Sequence, residues 1–139
     1  MAQTIADVMT PNPVTLSADA SVVEAALVMR DNDIGDVIVC DDQTVCGIVT
    51  DRDLVVRALA ERVDPEQVAL RDICTKQVTT VQPDTSVDEA VKLMRENALR
   101  RLPVVDGLRP VGVVSLGDLA TTQDPKSALA DISSAAPNN

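Results

Sequence analysis

Hydrophobic residues recur at helical spacing in one segment of the chain and form short strand-like runs in the next. The stripe that begins at Val22 follows the i, i+3, i+4, i+7 spacing, which places apolar side chains on one face of a helix. Ser21 and Glu24 open this helix as a capping box, in which the Ser hydroxyl accepts from the third helical amide. The stripe consists of Val22, Ala25, Ala26 and Met29. The spacing predicts an amphipathic helix with one buried face.

Two β-rich runs follow, Val37–Cys40 and Val45–Thr50, with a polar turn between them. Such runs around a short turn predict a β-hairpin. A short extended segment at residues 14–16 precedes the first helix, and a second helix is predicted from Asp51 to about Glu61. Its apolar face is predicted to contain Leu54, Val55, Ala58 and Leu59. The predicted order is therefore extended segment, helix, hairpin and helix.

The same order occurs again 65 residues later, with no gap between the two copies. A repeat of this length that occurs only twice differs from a solenoid and indicates two copies of one small unit. The division predicts a first copy at residues 1–64, a second copy at 65–123 and a flexible tail at 124–139. The recurring residues of the first copy are Asp7, Thr10, Asp19, Ser21, Val22, Glu24, Ala25, Met29, Arg30, Asn32, Asp41, Gly47 and Asp53.

Composition narrows the classes of function. The 139 residues include 22 acidic and 12 basic side chains, for a net charge of −10. This excess of acid argues against binding nucleic acid polymers or anionic membranes, which need clustered cations. Phe, Trp, Tyr and His are absent, so a flat ligand would have to lie between aliphatic side chains. The N-terminal residues lack a signal pattern and no apolar run could span a bilayer, which predicts a cytoplasmic protein.

A motif that ends each hairpin carries the candidate chemistry. Gly47-Ile48-Val49-Thr50-Asp51-Arg52-Asp53 is echoed as Gly112-Val113-Val114-Ser115-Leu116-Gly117-Asp118. A hydroxyl and a carboxylate then project from a helix start, where the amides and the helix dipole favour an anion. A carboxylate can also accept two hydrogen bonds from a ribose diol. The same Ser/Thr-x-x-Asp spacing is a helix-cap signature, so both interpretations stay open at this point.

Residues 4–122 resemble a tandem pair of cystathionine-β-synthase (CBS) domains, a Bateman module, of the stand-alone bacterial type. The matching pieces are the opening Asp7-Val8-Met9-Thr10, the Ser-Val-x-Glu-Ala helix starts, the strand Arg101–Asp106 and both hairpin-end motifs. The resemblance implies an α/β (α+β) fold of two pseudo-symmetric β-α-β-β-α repeats packed through their sheets, with two clefts between them. It also implies a homodimer formed through the helices, to which the Leu54–Leu59 face is suited.

In this family the clefts commonly bind AMP, ADP, ATP or S-adenosylmethionine. The hydroxyl and the Asp of each motif hold phosphate and ribose, which corresponds here to Thr50 with Asp53 and Ser115 with Asp118. The base lies against an early and a later strand. The residues implied for the base are Thr15, Leu16, Val37, Ile38, Thr80, Val81, Leu102 and Pro103.

The chain departs from the family pattern where charge matters. Asp36 adds a negative charge near the first cleft, and Leu116-Gly117 replaces the Asp51-Arg52 pair in the second copy. Arg52 in the first copy and Arg101 in the second, ahead of Arg100, are candidate phosphate ligands, since a phosphate needs local cations in so acidic a chain. The alternative is that each is a solvated or salt-bridged surface arginine.

Three functions remain from the sequence. The favoured one is a non-enzymatic sensor that binds an adenosyl ligand, needs no cofactor and acts through an unidentified regulated protein. The second is a dimerisation or interaction scaffold without a physiological nucleotide. An enzyme is disfavoured, because the chain lacks His and any dinucleotide or P-loop motif. Cys40 and Cys46 flank the hairpin turn, where a pair of buried small hydrophobes is favoured over a redox pair or a zinc site.

Overall fold

The computed structural model describes residues 3–123, which form five short helices, a helical continuation with π geometry, one 3₁₀ turn and two three-stranded sheets. The predicted tail at 124–139 lies outside the described residues. The elements in chain order are α1 (Ile5–Val8), β1 (Thr10–Pro11), β2 (Thr15–Ser17), α2 (Val22–Asn32), β3 (Asp36–Asp41), β4 (Thr44–Thr50), α3 (Asp51–Asp53) with its π continuation (Leu54–Leu59), the 3₁₀ turn (Leu70–Asp72), α4 (Val87–Asn97), β5 (Arg101–Asp106), β6 (Arg109–Ser115) and α5 (Leu116–Gln123).

The first compact unit, which we call unit A, contains residues 13–78 together with 108–110. Its sheet has the order β2-β3-β4, with β2 parallel and β4 antiparallel to the central β3. Ser21 caps α2 through its Oγ, which accepts from the Glu24 amide at 3.1 Å. The predicted capping serine and hairpin are therefore confirmed. Its fully or nearly buried core side chains are Ala18, Ala20, Val22, Ala25, Met29, Val37, Val39, Val49, Ala58, Leu70, Ile73 and Cys74.

The second compact unit, unit B, contains residues 3–12, 79–107 and 111–123 of the described part of the chain. Its sheet has the order β1-β6-β5, and β1 pairs with β6 in antiparallel register. The extended segment predicted at residues 79–81 makes a single parallel bridge between Val81 and Val104 rather than a full strand. Ser86 caps α4 as Ser21 caps α2. The buried core comprises Ile5, Val81, Val87, Ala90, Met94, Leu102, Val104, Val114 and Leu119.

The opening segment of each sequence copy packs in the unit that holds the other copy's hairpin. Thr10 pairs with Val113 in unit B, and Thr75 pairs with Ile48 in unit A. The compact units are therefore divided near residues 12 and 78, whereas the sequence duplication divides the chain at 64. The sequence repeat and the folded unit are different divisions because each hairpin completes its hydrogen bonding with a segment from the other copy.

The helix predicted from Asp51 to Glu61 begins as predicted but changes geometry at Leu54. The Ala60 amide donates to the Val55 carbonyl at 2.8 Å, which is the i→i+5 bond of a π-helix. The predicted apolar side chains divide between core and surface. Ala58 is 2% exposed and belongs to the core, whereas Leu59 is 73% exposed. Leu54 is half-buried, and the exposed apolar side chains of this helix are Val55, Val56 and Leu59.

The burial of α2 differs from the predicted stripe at one position. Ala26 of the predicted stripe is exposed, while Val22, Ala25 and Met29 are buried as predicted. Among residues 3–123, no helix has the length and apolar composition needed to cross a membrane.

Candidate functional site

The first candidate pair, Thr50 and Asp53, lies where β4 ends and α3 begins. The Thr50 amide donates to Asp53 Oδ2 at 2.9 Å, and the Asp53 amide donates to Thr50 Oγ1 at 3.1 Å. The two residues form a complete capping box. The Asp53 side chain is only 14% exposed, so its carboxylate is held in one orientation beside the end of the strand.

The second pair, Ser115 and Asp118, repeats this geometry at the start of α5 in unit B. The Ser115 amide donates to Asp118 Oδ2 at 2.9 Å, and the Asp118 amide donates to Ser115 Oγ at 3.0 Å. Both pairs therefore act as helix caps, as the simpler interpretation of the sequence predicted. Capping alone does not exclude a ligand, since a carboxylate has about four lone-pair sites and one amide occupies one of them.

The backbone amides at the first helix start are already satisfied within the chain. The Asp51 amide donates to the Gly35 carbonyl at 2.9 Å, and the Arg52 amide donates to Asp51 Oδ1 at 2.8 Å. With the two capping bonds of Thr50 and Asp53, each amide from 50 to 53 has an acceptor. In the first copy the Asp51 carboxylate therefore already supplies an anionic acceptor at the helix start, and binding of a ligand anion by these amides stays a prediction.

Arg57 is a residue of this site that the sequence reasoning missed. Its Nε lies 3.7 Å from Asp53 Oδ1, and its Nη1 donates to the Ile73 carbonyl at 3.2 Å. Arg57 thus joins the capping carboxylate to the opening segment of the second copy. The Asp-x-x-x-Arg spacing, which places the two side chains on one helix face, was the available signal.

The other candidate cations lie at the equivalent ends of the two hairpins. Arg52 is exposed on the first turn of α3, and Arg101 is exposed at the start of β5. The Arg100 carbonyl accepts from the Leu116 amide at 2.7 Å, which parallels the bond between Gly35 and Asp51 in the first copy. Arg100 and Arg101 therefore lie beside the Ser115–Asp118 cap in unit B.

The residues implied for a base lie on the edge strands β2 and β5, on the central strand β3 and at the isolated Val81–Val104 bridge, and most of them are buried. Thr15 pairs with Ile38 and Leu16 pairs with Val39 in the parallel part of the first sheet. Thr15 is exposed, and Leu16 and Thr80 are half-buried. The buried members are Val37, Ile38, Val81, Leu102 and Pro103. Val37, Val81 and Leu102 belong to the cores of their units, so their side chains stabilise the fold.

A separate cavity of about 290 Å³ lies in unit B against α4 and α5. Its apolar lining includes Leu116, but neither Ser115 nor Asp118. The lining residues are Val91, Met94, Arg95, Leu99, Leu116 and Leu119. This cavity is distinct from the predicted ligand residues.

The three cysteines are free and lie in unit A. Cys40 pairs with Val45, and the register of the hairpin shifts between Val39 and Cys40, so Cys40 and Cys46 are not directly opposed. Burial raises the pKa of the Cys40, Cys46 and Cys74 thiols above the ordinary value, and neighbouring acidic groups add to this. Within the described residues, no group of three or more Cys, Asp or Glu side chains is arranged to hold a metal ion.

These raised pKa values predict slow thiol chemistry in the native protein. A raised pKa keeps a thiol protonated at neutral pH, and the thiolate is the nucleophile. We expect iodoacetamide at pH 7.5 to alkylate all three thiols much more slowly in the native than in the urea-unfolded protein, with the native rate still rising above pH 9. Mass spectrometry of quenched samples measures this. Rapid native labelling at pH 7.5 would contradict it.

The chain is similar to known proteins in both of its sequence copies. The CBS-domain family model matches residues 5–59 and 70–123, once for each copy. The Bacillus subtilis protein YlbB is 40% identical over 135 residues, which cover 93% of this chain and 90% of that protein.

Two solved structures are similar to this chain over most of its length. The CBS domain pair of protein MJ0100, in complex with 5-methylthioadenosine and S-adenosyl-L-methionine, has a TM-score of 0.79 and 26% identity over 91% of this chain and all of that one. CBSX2 in complex with AMP has a TM-score of 0.73 and 27% identity, covering 86% of this chain and 94% of the other. The mixed helix–strand fold with two small sheets and these matches together show that the chain belongs to the CBS-domain family.

Proposed function

We propose that this protein is a non-enzymatic regulatory module that binds adenosyl ligands beside its two hydroxyl–carboxylate pairs. The observation that carries the proposal is the duplication of that pair. Thr50 with Asp53 and Ser115 with Asp118 have the same capping geometry at the same hairpin end. A module of this kind would act as a homodimer in the cytoplasm and through a regulated protein.

The chemistry of the pair suits a ribose. Two adjacent hydroxyls of a ribose can donate to one carboxylate, and a hydrogen bond to a charged group contributes about 1.5–3 kcal/mol. Asp53 is held in place by the Thr50 amide and by Arg57, so little orientational freedom is lost when a ligand binds. Similar folds that hold AMP, or 5-methylthioadenosine and S-adenosylmethionine, support this ligand class.

A thermal-shift panel tests the proposal directly. The panel contains AMP, ADP, ATP, S-adenosylmethionine and 5-methylthioadenosine, with inosine and buffer as controls. A ligand that binds only the native state adds about 2.7 kcal/mol at a hundredfold excess over its Kd. We expect at least one adenosyl compound to raise the melting temperature at millimolar concentration. If none does, the scaffold function without a physiological nucleotide is correct.

Substitution of the two aspartates separates binding from capping. Asp53→Asn and Asp118→Asn keep a capping oxygen, so each variant should lose about 1 kcal/mol of stability or less. Each removes a charge that a diol would use, so binding at that site should weaken about tenfold, which corresponds to 1.4 kcal/mol. Isothermal titration calorimetry measures the affinity and urea unfolding measures the stability.

Asp7 provides a matched control for these variants. Its Oδ2 accepts from the Thr4 amide at 3.1 Å in a third capping box, which belongs to neither hairpin-end motif. Asp7→Asn should cost a similar amount of stability and leave ligand affinity unchanged. Equal affinity in all three variants and the parent protein would reduce Asp53 and Asp118 to helix caps.

A further inference from the structure

The two hairpin ends have the same backbone geometry but opposite local charge. Positions 35 and 100 carry carbonyls that accept from the first amide of the following helix, at 2.9 and 2.7 Å. The residue that follows is Asp36 in the first copy and Arg101 in the second. In the first copy, Asp36 lies on the neighbouring strand directly opposite Thr50, the residue that provides the capping hydroxyl. The 65-residue offset gives Arg101 the corresponding place beside Ser115.

The residues at and after the two helix starts differ in charge in the same direction. Asp51 and Arg52 of the first copy correspond to Leu116 and Gly117 of the second, and Arg57 corresponds to Thr122. Over six equivalent positions, the first copy has three carboxylates and two guanidinium groups, for a net charge of −1. The same six positions of the second copy have one carboxylate and two guanidinium groups, for a net charge of +1. The positions are 35, 36, 51, 52, 53 and 57 in the first copy and 100, 101, 116, 117, 118 and 122 in the second.

The cations of the first copy are also less available than their number suggests. Arg57 faces Asp53 and donates to the Ile73 carbonyl, so it already has two partners. Arg52 is the remaining guanidinium beside Asp36, Asp51 and Asp53. A phosphate placed here would meet these carboxylates at short range, and like charges at short range disfavour binding.

We propose that the two sites select adenosyl ligands by charge. The second-copy site, beside Arg100 and Arg101, takes a phosphorylated nucleoside, and the first-copy site, beside Asp36 and Asp51, takes an adenosyl compound that is cationic and has no phosphate. This inference rests on the proposed function and adds the ligand class of each site. Guanidinium groups match phosphate oxygens in geometry and charge, whereas carboxylates attract a sulfonium or ammonium group and repel a phosphate.

Three probes with one adenosyl group isolate the charge: AMP is anionic, 5-methylthioadenosine is neutral and S-adenosylmethionine is cationic. Calorimetry should show one strong AMP site per chain. Arg100→Ala with Arg101→Ala should weaken AMP binding tenfold or more, while the Kd of 5-methylthioadenosine changes less than threefold. Both arginine residues are exposed, and the melting temperature of the variant establishes that it is folded. Arg109→Ala, which removes an exposed arginine at the opposite end of β6, is the matched control and should change neither Kd.

Substitutions in the first copy test whether the first-copy site takes the cationic ligand. Asp36→Asn with Asp51→Asn should weaken S-adenosylmethionine binding fivefold or more and leave the strong AMP site unchanged. Asp36→Arg should add a second AMP site per chain. Circular dichroism and the melting temperature of each variant establish that it is folded, and a variant that unfolds is replaced by the single Asp51→Asn change, for which the same loss of S-adenosylmethionine binding is expected.

The outcomes separate this inference from the proposed function. If no adenosyl compound of the thermal-shift panel binds, the proposed function itself fails. If the probes bind but AMP affinity follows Asp53→Asn rather than Asp118→Asn, the adenosyl function stands and the assignment by charge is wrong. Equal affinities of AMP and S-adenosylmethionine at both sites would also overturn the assignment.

Discussion

Gly47→Ala should destabilise the protein by about 2–3 kcal/mol, because a methyl group at this position has no room. A Cβ on Gly47 would lie 2.6 Å from Cys74 Sγ and 2.8 Å from the Thr75 carbonyl oxygen. Cys74 is buried and has a short side chain, and the other atom is backbone, so neither can move away cheaply. Urea unfolding followed by circular dichroism measures the change, which is a large part of the total stability of a small domain.

The second copy has the same close approach with a softer neighbour. A Cβ on Gly112 would lie 2.6 Å from Met9 Sδ and 2.9 Å from the Thr10 carbonyl oxygen. Since a methionine side chain is flexible, Gly112→Ala should cost less than Gly47→Ala. Gly35→Ala is the matched control, because its nearest neighbour is the exposed Asp51 carboxylate at 3.2 Å.

A double variant tests the cause. Gly47→Ala with Cys74→Ala removes the Sγ contact and leaves the carbonyl contact, so it should be more stable than the sum of the two single changes predicts. Such non-additivity is typical of residues in direct contact. Equal costs for Gly47→Ala and Gly35→Ala would mean that the opening segment does not pack tightly against the hairpin.

The local elements could be predicted from the sequence. The packing of each copy's opening segment against the hairpin of the other copy could not. Ser21 and Ser86 cap their helices, and both hairpins form, because these features depend on residues a few positions apart. The packing of Thr10 against β6 and of Thr75 against β4 depends on contacts across the chain. The recurring Gly47 and Gly112 were the signal for it, since a glycine inside a strand marks a close backbone approach.

The candidate site shows the same division. The Ser/Thr-x-x-Asp spacing predicted the two capping pairs, because a cap is a local structure. The part played by Arg57 needed the position of the Ile73 carbonyl, sixteen residues away, which no spacing within the motif reveals. The division of the apolar side chains between Leu54 and Leu59 into buried and exposed members has a similar origin, because it depends on which of them the rest of unit A covers. Helical periodicity also did not reveal the π geometry at Ala60.

Val55→Glu with Leu59→Glu should convert the proposed homodimer to monomer. Val55 and Leu59 are 55% and 73% exposed in the single chain, together with Val56, and these form the apolar face on which the dimer proposal now rests. A carboxylate buried in an interface without a partner costs several kcal/mol, and we expect the dissociation constant to rise at least a hundredfold. Light scattering should give twice the chain mass of 14.7 kDa for the parent protein and a single chain mass for the variant.

The controls for this variant follow from the burial of each side chain. Leu108→Glu places the same charge on another highly exposed leucine, in the β5–β6 turn, and should leave the dimer intact. Ala58→Glu is unsuitable, because Ala58 lies in the core of unit A and a charge there would unfold the unit rather than separate two chains. A parent protein of 14.7 kDa at micromolar concentration would contradict the dimer. A dimer that survives Val55→Glu with Leu59→Glu but not Leu108→Glu would place the interface at the hairpin turn instead of on the π-helical face.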